Sequence, residues 1–251
     1  MLLESMKDYH LGREEVYPAS SKIWSFKKVE DIVHGINLPI SNMAGGFSFE
    51  CNGDIWPDSE RLYLCGEYSN NTDKHLSIQK ELLSAKSGYA AKQFFKSKYK
   101  KQVRSDFTNF RLQWMIYCVW TKCQRNADFS NLLVNIPLPE DAILVENTSN
   151  DNGGTAKIWG CKNKELDKAR KALADKLKTE NSHMKKKYLD NLINVETNKL
   201  CDIGEWQGQN NIGKILMLCR DCLLNGTEPT IDYELLERSN IYLLGKLLRF
   251  A

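Results

Sequence analysis

Apolar side chains recur at helical spacing in several segments of this 251-residue chain. Between Phe107 and Cys123, for example, Phe110, Trp114 and Cys118 fall on one face, which predicts an amphipathic helix. The same spacing predicts further helices at 60–68, 78–95, 128–134, 212–224 and 233–248. Residues 162–187 predict one amphipathic helix or a helical pair, so we expect a chain rich in helix.

Short apolar segments of a different pattern predict strands. Phe47-Ser48-Phe49 alternates apolar and polar residues and is followed by Asn52-Gly53, a dipeptide typical of the tight turn of a β-hairpin. Ala142 to Val145 is a short apolar run of strand-like character, and Ile158-Trp159-Gly160 is interpreted as a returning strand. The chain therefore predicts an α+β fold, helix-rich, as a single domain with a small sheet.

Changes in polarity and charge predict the domain organisation. Residues 1–25 form a polar N-terminal extension, residues 26–232 the main domain, and residues 233–251 a C-terminal helix that packs on it. A basic helical insertion is predicted at 162–203. Ten basic and four acidic residues fall within 162–187, which leaves the rest of the chain slightly acidic because the net charge is only +3.

Composition excludes several classes of protein. The chain is 42% hydrophobic and 27% charged, which is ordinary for a globular protein and excludes a disordered chain or a collagen-like fibre. No apolar run is long enough to span a membrane, and the N-terminus does not resemble a signal peptide. We therefore expect a cytoplasmic protein.

The cysteines are expected to be buried free thiols. Their number, eight, would suggest disulfides only in a secreted chain. Cys219 and Cys222 have C-x-x-C spacing but lie inside an apolar helical pattern, and no second pair completes a zinc site. We expect no metal and no cofactor.

A basic stretch from Lys86 to Arg104 holds seven basic residues, no acidic one and several aromatic residues, among them Tyr89 and Tyr99. Basic side chains could follow phosphates while aromatic rings stack on bases. The alternative is a solvated helix face whose aromatic residues lie in the core.

Three carboxylates are candidates for acid–base chemistry. Glu60 begins a predicted helix after Trp56-Pro57, Glu146 ends an apolar run, and Asp151 lies in a loop before Trp159. A carboxylate at the end of a buried strand can be desolvated enough to act as a base near neutral pH. Each of them could instead be a helix cap or a surface charge.

Residues Gly208 to Lys214 resemble a phosphate-binding loop before a helix. The glycines allow close approach of the backbone, and the N–H groups at a helix N-terminus favour an anion. The segment is neither a Walker A loop nor a dinucleotide fingerprint, since the glycine spacing differs and no strand is predicted before it. A plain helix start is the alternative.

Six segments, in order along residues 26–224, resemble motifs of the NADAR family, also called YbiA-like. They are Ser41-Asn42-Met43, Trp56-Pro57-Asp58-Ser59-Glu60-Arg61, Arg104 to Met115 as Arg-x-Asp-Phe-x₃-Arg-x₃-Met, Leu144-Val145-Glu146, Trp159-Gly160, and Gly208 to Met217 followed by Arg220. Lys122 falls at the position of a family lysine. Each motif alone is weak, whereas six in the right order are specific.

The chain also departs from the family pattern. Arg61 replaces a histidine, and Leu64, Gly66 and Glu67 replace polar or basic residues that follow it. The acid that normally stands three residues before Trp-Gly is absent at Ala156, so Asp151 takes its place only through an insertion. The basic segment 162–203 is a further insertion between the last two motifs.

The resemblance implies an N-glycosidase that cuts the bond between the ribose anomeric carbon and an exocyclic amine. It implies Glu60, with Glu146 or Asp151, as the catalytic carboxylates. It also implies a set of residues that bind the substrate. These are Asn42, Trp56, Arg61, Arg104, Lys122, Trp159, Gly160, Gly208, Asn210, Gly213 and Lys214.

Two substrate classes follow from the resemblance: phosphorylated ribosylamino intermediates of riboflavin synthesis, and ADP-ribose attached to guanine in DNA. We favour the second, an antitoxin-like reversal of ADP-ribosylation, because the changes after Glu60 alter a pocket wall and the two basic stretches suit a polyanion. A companion ADP-ribosylating toxin is then an expected partner. A non-catalytic ADP-ribose or NAD reader is the alternative of another class, since Arg61 replaces the histidine.

Overall fold

The computed structural model of the chain describes residues 9–20, 22–27, 32–33 and 36–250, and for Ile32 and residues 94–97 it describes the backbone only. Residues 1–8 and 21 of the predicted N-terminal extension lie outside the described residues. The strands are β1 (Glu15–Pro18), β2 (Ile23–Phe26), β3 (Ile32–Val33), β4 (Ile36–Asn37), β5 (Phe49–Cys51), β6 (Asp54–Trp56), β7 (Ile143–Glu146), β8 (Cys161–Lys162), β9 (Glu205–Gly208), β10 (Tyr242–Leu243) and β11 (Lys246–Leu247).

Helices hold more of the described residues than strands do. They are α1 (Ser59–Glu67), α2 (Asp73–Ser84), α3 (Gly88–Lys98), α4 (Phe107–Arg125), α5 (Ala127–Val134), α6 (Ala156–Trp159), α7 (Lys164–Glu180), α8 (Lys186–Asn198), α9 (Asn211–Asn225) and α10 (Tyr233–Arg238). The protein is thus a helix-rich α+β protein with small sheets, as predicted. No helix of the described residues combines the length and the apolar character needed to cross a bilayer.

Internal contacts divide the chain into two compact units, each made from two separate stretches of sequence. Unit 1 joins Met1–Pro39 with Ile136–Met217, and unit 2 joins Ile40–Asn135 with Leu218–Ala251. Each unit is described by itself below.

Unit 1 is built on short strands that pair across long sequence separations. β1, β9 and β8 form an antiparallel sheet in that order, and β2 pairs with β7 in parallel, with Phe26 opposite Glu146. Apolar residues of these strands and of α7 meet in one buried cluster. Its members are Tyr17, Ile23, Ile143, Val145, Cys161, Leu166 and Trp206.

Unit 2 begins with the predicted hairpin. Asn52 and Gly53 both adopt left-handed backbone angles, φ +58° and φ +77°, as the two-residue turn between β5 and β6 requires. Beyond the hairpin, α1 packs closely on α4. The approach depends on Gly66, because a Cβ there would lie 2.1 Å from Nε1 of Trp114.

Three predicted elements differ from the structure because local signals outweigh apolar spacing. They are the helix at 78–95, the strand at 158–160 and the C-terminal helix at 233–248. The helix predicted at 78–95 is interrupted after Ser84, where Ala85 is extended, and a new helix begins at Gly88. The strand predicted at 158–160 is the end of the helical turn α6, and the strand begins only at Cys161. Three residues are too few for apolar spacing to distinguish helix from strand.

The C-terminal helix is much shorter than predicted. It ends at Arg238, and β10 and β11 follow as a hairpin. Asn240, Leu244 and Gly245 all have positive φ, which ends the helix and makes the turn. At the other end of the chain, Glu15–Pro18 is not loosely held, because it pairs with β9.

Candidate functional site

The first turn of α1 buries three charged side chains. Asp58, Glu60 and Arg61 are each less than 7% exposed. Charged groups are rarely buried unless they are paired, because removal from water is costly. Glu60 has a cation nearby, since its Oε1 lies 3.8 Å from Nζ of Lys92 on α3. A buried carboxylate is therefore held at the start of α1.

Asp58 and Arg61 form a buried ion pair. Oδ1 of Asp58 accepts a hydrogen bond of 2.8 Å from the Arg61 backbone N–H, so Asp58 is the N-cap of α1, and its Oδ2 lies 3.3 Å from Nε of Arg61. Burial raises the pKa of Asp58 to about 6, against the opposing effects of this hydrogen bond and of the guanidinium. Arg61, which replaces the family histidine, is thus engaged by Asp58.

Asn42 fixes the position of this helix start. Its carbonyl oxygen accepts a hydrogen bond of 3.1 Å from the Glu60 N–H, and its Oδ1 accepts one of 3.3 Å from Oγ of Ser59. Its Nδ2 donates to Sδ of Met115 on α4 at 3.0 Å. Three motifs that are distant in the sequence, those of Asn42, Glu60 and Met115, therefore meet in unit 2.

Lys122 on α4 is a buried amine. Its side chain has no exposed surface, and among the described residues Nζ has no hydrogen-bond partner. Instead Nζ lies 3.8 Å from the ring centroid of Phe129 and 5.2 Å from that of Phe47. Desolvation lowers the pKa of Lys122 to about 8, although cation–π contact favours the charged form. Such an amine exchanges its proton near neutral pH.

Two other predicted binding residues of unit 2 serve the fold. Trp56 is fully buried, and its Nε1 donates to the Cys51 carbonyl across the hairpin. Arg104 makes two hydrogen bonds with the Asp106 carboxylate and donates to Oγ of Ser69 and to the carbonyl of Ser239. Their polar groups are already engaged, so neither is included in the proposal below.

In unit 1, Asn210 joins β7 to the start of α9. Its Oδ1 accepts a hydrogen bond of 3.1 Å from the Glu146 N–H, and its Nδ2 donates one of 2.8 Å to the carbonyl of Leu144. Asn210 has no exposed surface and has φ +50°, a conformation that asparagine tolerates better than most residues. Strand β9 directly precedes this segment, contrary to the expectation that no strand does.

The glycines of the last two motifs allow close backbone contacts around Asn210. A Cβ at Gly213 would lie 2.1 Å from the Leu144 carbonyl oxygen. Cβ atoms at Gly160 and Gly208 would lie 2.3 Å from the carbonyl oxygens of Glu146 and Gly160. Close packing between β7, β8, β9 and α9 therefore explains why glycine occupies these motif positions.

Lys214, the lysine of the predicted phosphate-binding loop, has protein partners. Its Nζ donates to the carbonyls of His10 and Arg13 and lies 3.0 Å from Oε2 of Glu15. It is 2% exposed. In this structure the lysine holds the segment before β1.

The other two candidate carboxylates, Glu146 and Asp151, lie in unit 1 and have different surroundings. Glu146 ends β7, half-buried, opposite Phe26 at the carboxyl end of the parallel pair. Asp151 lies in a loop in which its Oδ1 accepts a hydrogen bond of 2.7 Å from the Gly153 N–H. Trp159 is buried at the end of α6. Glu146 is thus placed at a strand end, and Asp151 in a turn.

Sequence reasoning missed the contribution of Lys92. The only feature of the sequence that indicates a role for Lys92 is its position within the basic stretch 86–104, and this position does not distinguish it from the other basic residues there. The burial of Lys122 has a clearer signal, because a lysine within the apolar run from Cys118 to Cys123 must be buried if the helix packs on that face.

Comparison with known proteins shows that the chain is similar to a solved structure. No family model matches the sequence. No curated protein matches it either. Among solved structures, the NMR structure of the E. coli protein YbiA matches with 20% sequence identity and a TM-score of 0.48, covering 81% of this chain and 86% of YbiA.

Proposed function

We propose that this protein is an N-glycosidase that hydrolyses the bond between a ribose anomeric carbon and an exocyclic amine. The observation that carries the proposal is the buried carboxylate of Glu60, 3.8 Å from Lys92 at a position that matches the family motif. The backbone N–H of Glu60 donates to the carbonyl of Asn42, which fixes this helix start.

The reaction explains why a buried carboxylate is useful. Water forms a bond to the anomeric carbon, the bond to nitrogen breaks with its electron pair, and a proton is transferred to the leaving amine. The transition state resembles an oxocarbenium ion, so a nearby negative charge stabilises it most in a dry environment. Glu60 is assigned this role, and a positioned acid or base contributes a factor of about 10²–10⁴ in rate.

Two further residues receive roles in the proposal. Glu146 is preferred to Asp151 as the second carboxylate, since it ends the buried parallel strand β7 whereas Asp151 lies in a turn. Lys122 is assigned to substrate binding, because its amine is buried without a hydrogen-bond partner among the described residues and its pKa is lowered to about 8.

ADP-ribose on guanine in DNA is the proposed substrate. The two basic stretches, residues 86–104 and 162–187, favour it, because many cations bind a polyanion better than they bind a small metabolite. The changes after Glu60 no longer favour it. Leu64 and Gly66 are buried, and Gly66 packs against Trp114, so both concern the packing of α1 rather than a pocket wall.

Mass spectrometry of a guanine-ADP-ribosylated oligonucleotide incubated with the protein tests the proposal. We expect loss of the ADP-ribose mass, and we expect Glu60→Gln to abolish it while binding is retained. Glu81→Gln is the matched control, because Glu81 also pairs with a lysine, Lys98 at 2.9 Å, but on the exposed surface.

The other outcomes separate the alternatives. If the oligonucleotide stays intact while a phosphorylated ribosylamino pyrimidine is cleaved, the substrate is wrong but the reaction class is right. If neither is cleaved and ADP-ribose still binds, the protein is a reader and the enzymatic proposal is wrong.

A further inference from the structure

A polar groove of about 750 Å³ lies in unit 1 at the carboxyl ends of β2 and β7. Phe26 and Lys27 line it at the end of β2, and Asn147 lines it after β7. Asn147 directly follows Glu146, the candidate second carboxylate. The groove therefore lies beside the end of β7 that carries Glu146.

The predicted insertion forms the walls of this groove. Arg170, Lys171 and Lys178 line it from α7, and Asn191, Asn194 and Asn198 line it from α8. The lining positions of α7, residues 167, 170, 171, 174 and 178, fall on one helical face, and so do residues 191, 194 and 198 of α8, so one face of each helix is turned toward the groove. Leu166 of α7, which does not line the groove, packs into the core of unit 1.

Charge and hydrogen-bonding capacity point to an anionic ligand. Among the described lining residues, four cations (Lys27, Arg170, Lys171 and Lys178) stand against two carboxylates (Asp167 and Asp190). The guanidinium of Arg170 is held in place by a hydrogen bond of 3.0 Å to the carbonyl of Leu200. Asparagine amides accompany the cations, and such a mixture is typical of contacts with nucleic-acid phosphates and sugars.

We propose that this groove binds the DNA strand that flanks the modified base, an inference that rests on the proposed function for the choice of DNA. The lining face of α7 from Asp167 to Lys178 is about 16 Å long at 1.5 Å per residue. Along one strand of B-DNA, phosphates follow one another about every 3.4 Å of axis. The groove is therefore long enough for several phosphates, whereas ADP-ribose offers only two.

Fluorescence anisotropy with a short, labelled, unmodified single-stranded DNA tests the proposal on the full chain. The test variant is Lys171→Gln combined with Lys178→Gln. The control is Lys176→Gln combined with Lys199→Gln, which removes the same charge from two exposed lysines that do not line the groove. Each binding curve is repeated over a range of salt concentrations.

We expect the groove variant to bind at least about tenfold more weakly and to reduce the slope of log K against log salt by about 1.4, which corresponds to two lost phosphate contacts. The control should retain the affinity of the wild type. Equal losses in both variants would overturn the proposal, because net charge alone would then explain binding. Absence of DNA binding by the wild-type protein would overturn it as well.

A second measurement separates the groove from the catalytic proposal. Hydrolysis of ADP-ribosylated guanosine, which has no flanking strand, should be unchanged in the groove variant, whereas KM for the modified oligonucleotide should rise. Loss of the mononucleoside reaction in the groove variant would show that the groove holds ADP-ribose itself and would overturn the assignment to a strand. Inactivity of the wild type on both substrates, with DNA binding intact, would contradict only the catalytic proposal.

Discussion

Lys122 shows at the scale of one residue how function and stability oppose each other. The amine is fully buried, has aromatic rings as its nearest partners, and has a pKa of about 8 instead of 10.5. Protonation of this buried group is less favourable than protonation of the unfolded chain, so the charge destabilises the fold near neutral pH. A residue that destabilises the fold is better explained by a role in binding than by packing.

Replacement of Lys122 by Met should therefore stabilise the protein while it lowers activity. At pH 7 we expect the free energy of unfolding to rise by roughly 1–3 kcal/mol, because the desolvated charge is removed and cation–π contact offsets only part of its cost. Between pH 8 and pH 10.5 the unfolded wild-type chain holds a proton that the folded chain has released. The extra stability of the variant over the wild type should therefore shrink over this window.

Urea unfolding at pH 7 and pH 9 measures both effects. Lys98→Met, at an exposed lysine of α3, is the control, and it should leave the pH dependence over this window unchanged. A less stable Lys122→Met protein would show that the amine has a stabilising partner and would contradict the interpretation.

Gly66 gives a second prediction at this scale. An alanine Cβ there would lie 2.1 Å from Nε1 of Trp114 and would disturb the hydrogen bond from this nitrogen to the carbonyl of Tyr63. We expect Gly66→Ala to lower the free energy of unfolding by about 1–3 kcal/mol, as overpacking does. Thermal unfolding measures it against Gly45→Ala, a site with no atom within 4 Å of the added Cβ. Equal stability of the two variants would contradict the close packing of α1 on α4.

At the scale of elements, the last motif connects β7 to the start of α9. The amide of Asn210 satisfies the Glu146 N–H and the Leu144 carbonyl, two backbone groups that have no strand partner on that side. Motif residues that resemble a phosphate-binding loop are thus engaged in holding elements of unit 1 together. A motif match alone does not distinguish these two roles, because both need glycines and a small polar side chain.

Asn210→Ala should destabilise the protein by about 2–5 kcal/mol, since it leaves two buried backbone groups unsatisfied and places alanine in a left-handed conformation. Asn210→Asp keeps the acceptor and loses the donor, so its loss should be intermediate. Chemical denaturation of the three proteins provides the comparison. A loss of activity with unchanged stability in Asn210→Ala would instead indicate a direct role in binding substrate.

At the scale of the whole molecule, the prediction of free thiols is confirmed. All eight cysteines lie within the described residues, none forms a disulfide, and each except the half-buried Cys201 is buried. We expect a thiol reagent to modify Cys201 rapidly in the native protein and the other seven only after unfolding. The melting temperature should not change when a reductant is added. A drop in the melting temperature on reduction would reveal a disulfide and contradict this expectation.

Fold class and most elements could be predicted from local patterns. The Asn52-Gly53 turn and the amphipathic helix α4 each depend on a few neighbouring residues, and the structure confirms both. The errors occur where local spacing is uninformative. The helix predicted to Leu248 ends at Arg238, because left-handed residues and tertiary pairing of β10 with β11 outweigh apolar spacing.

The sequence by itself determined most of the segments that become helices and turns, the position of the basic segment 162–203, and the order of motifs that nominates Glu60. These features depend on periodicity, turn chemistry and residue identity, which are local properties. Only the tertiary structure decided what each nominated side chain contacts. Lys214, Arg104 and Asn210 are satisfied by groups far away in the chain, whereas Nζ of Lys122 is buried without a hydrogen-bond partner among the described residues. Burial and pairing depend on residues brought together from distant parts of the sequence, and no local pattern specifies them.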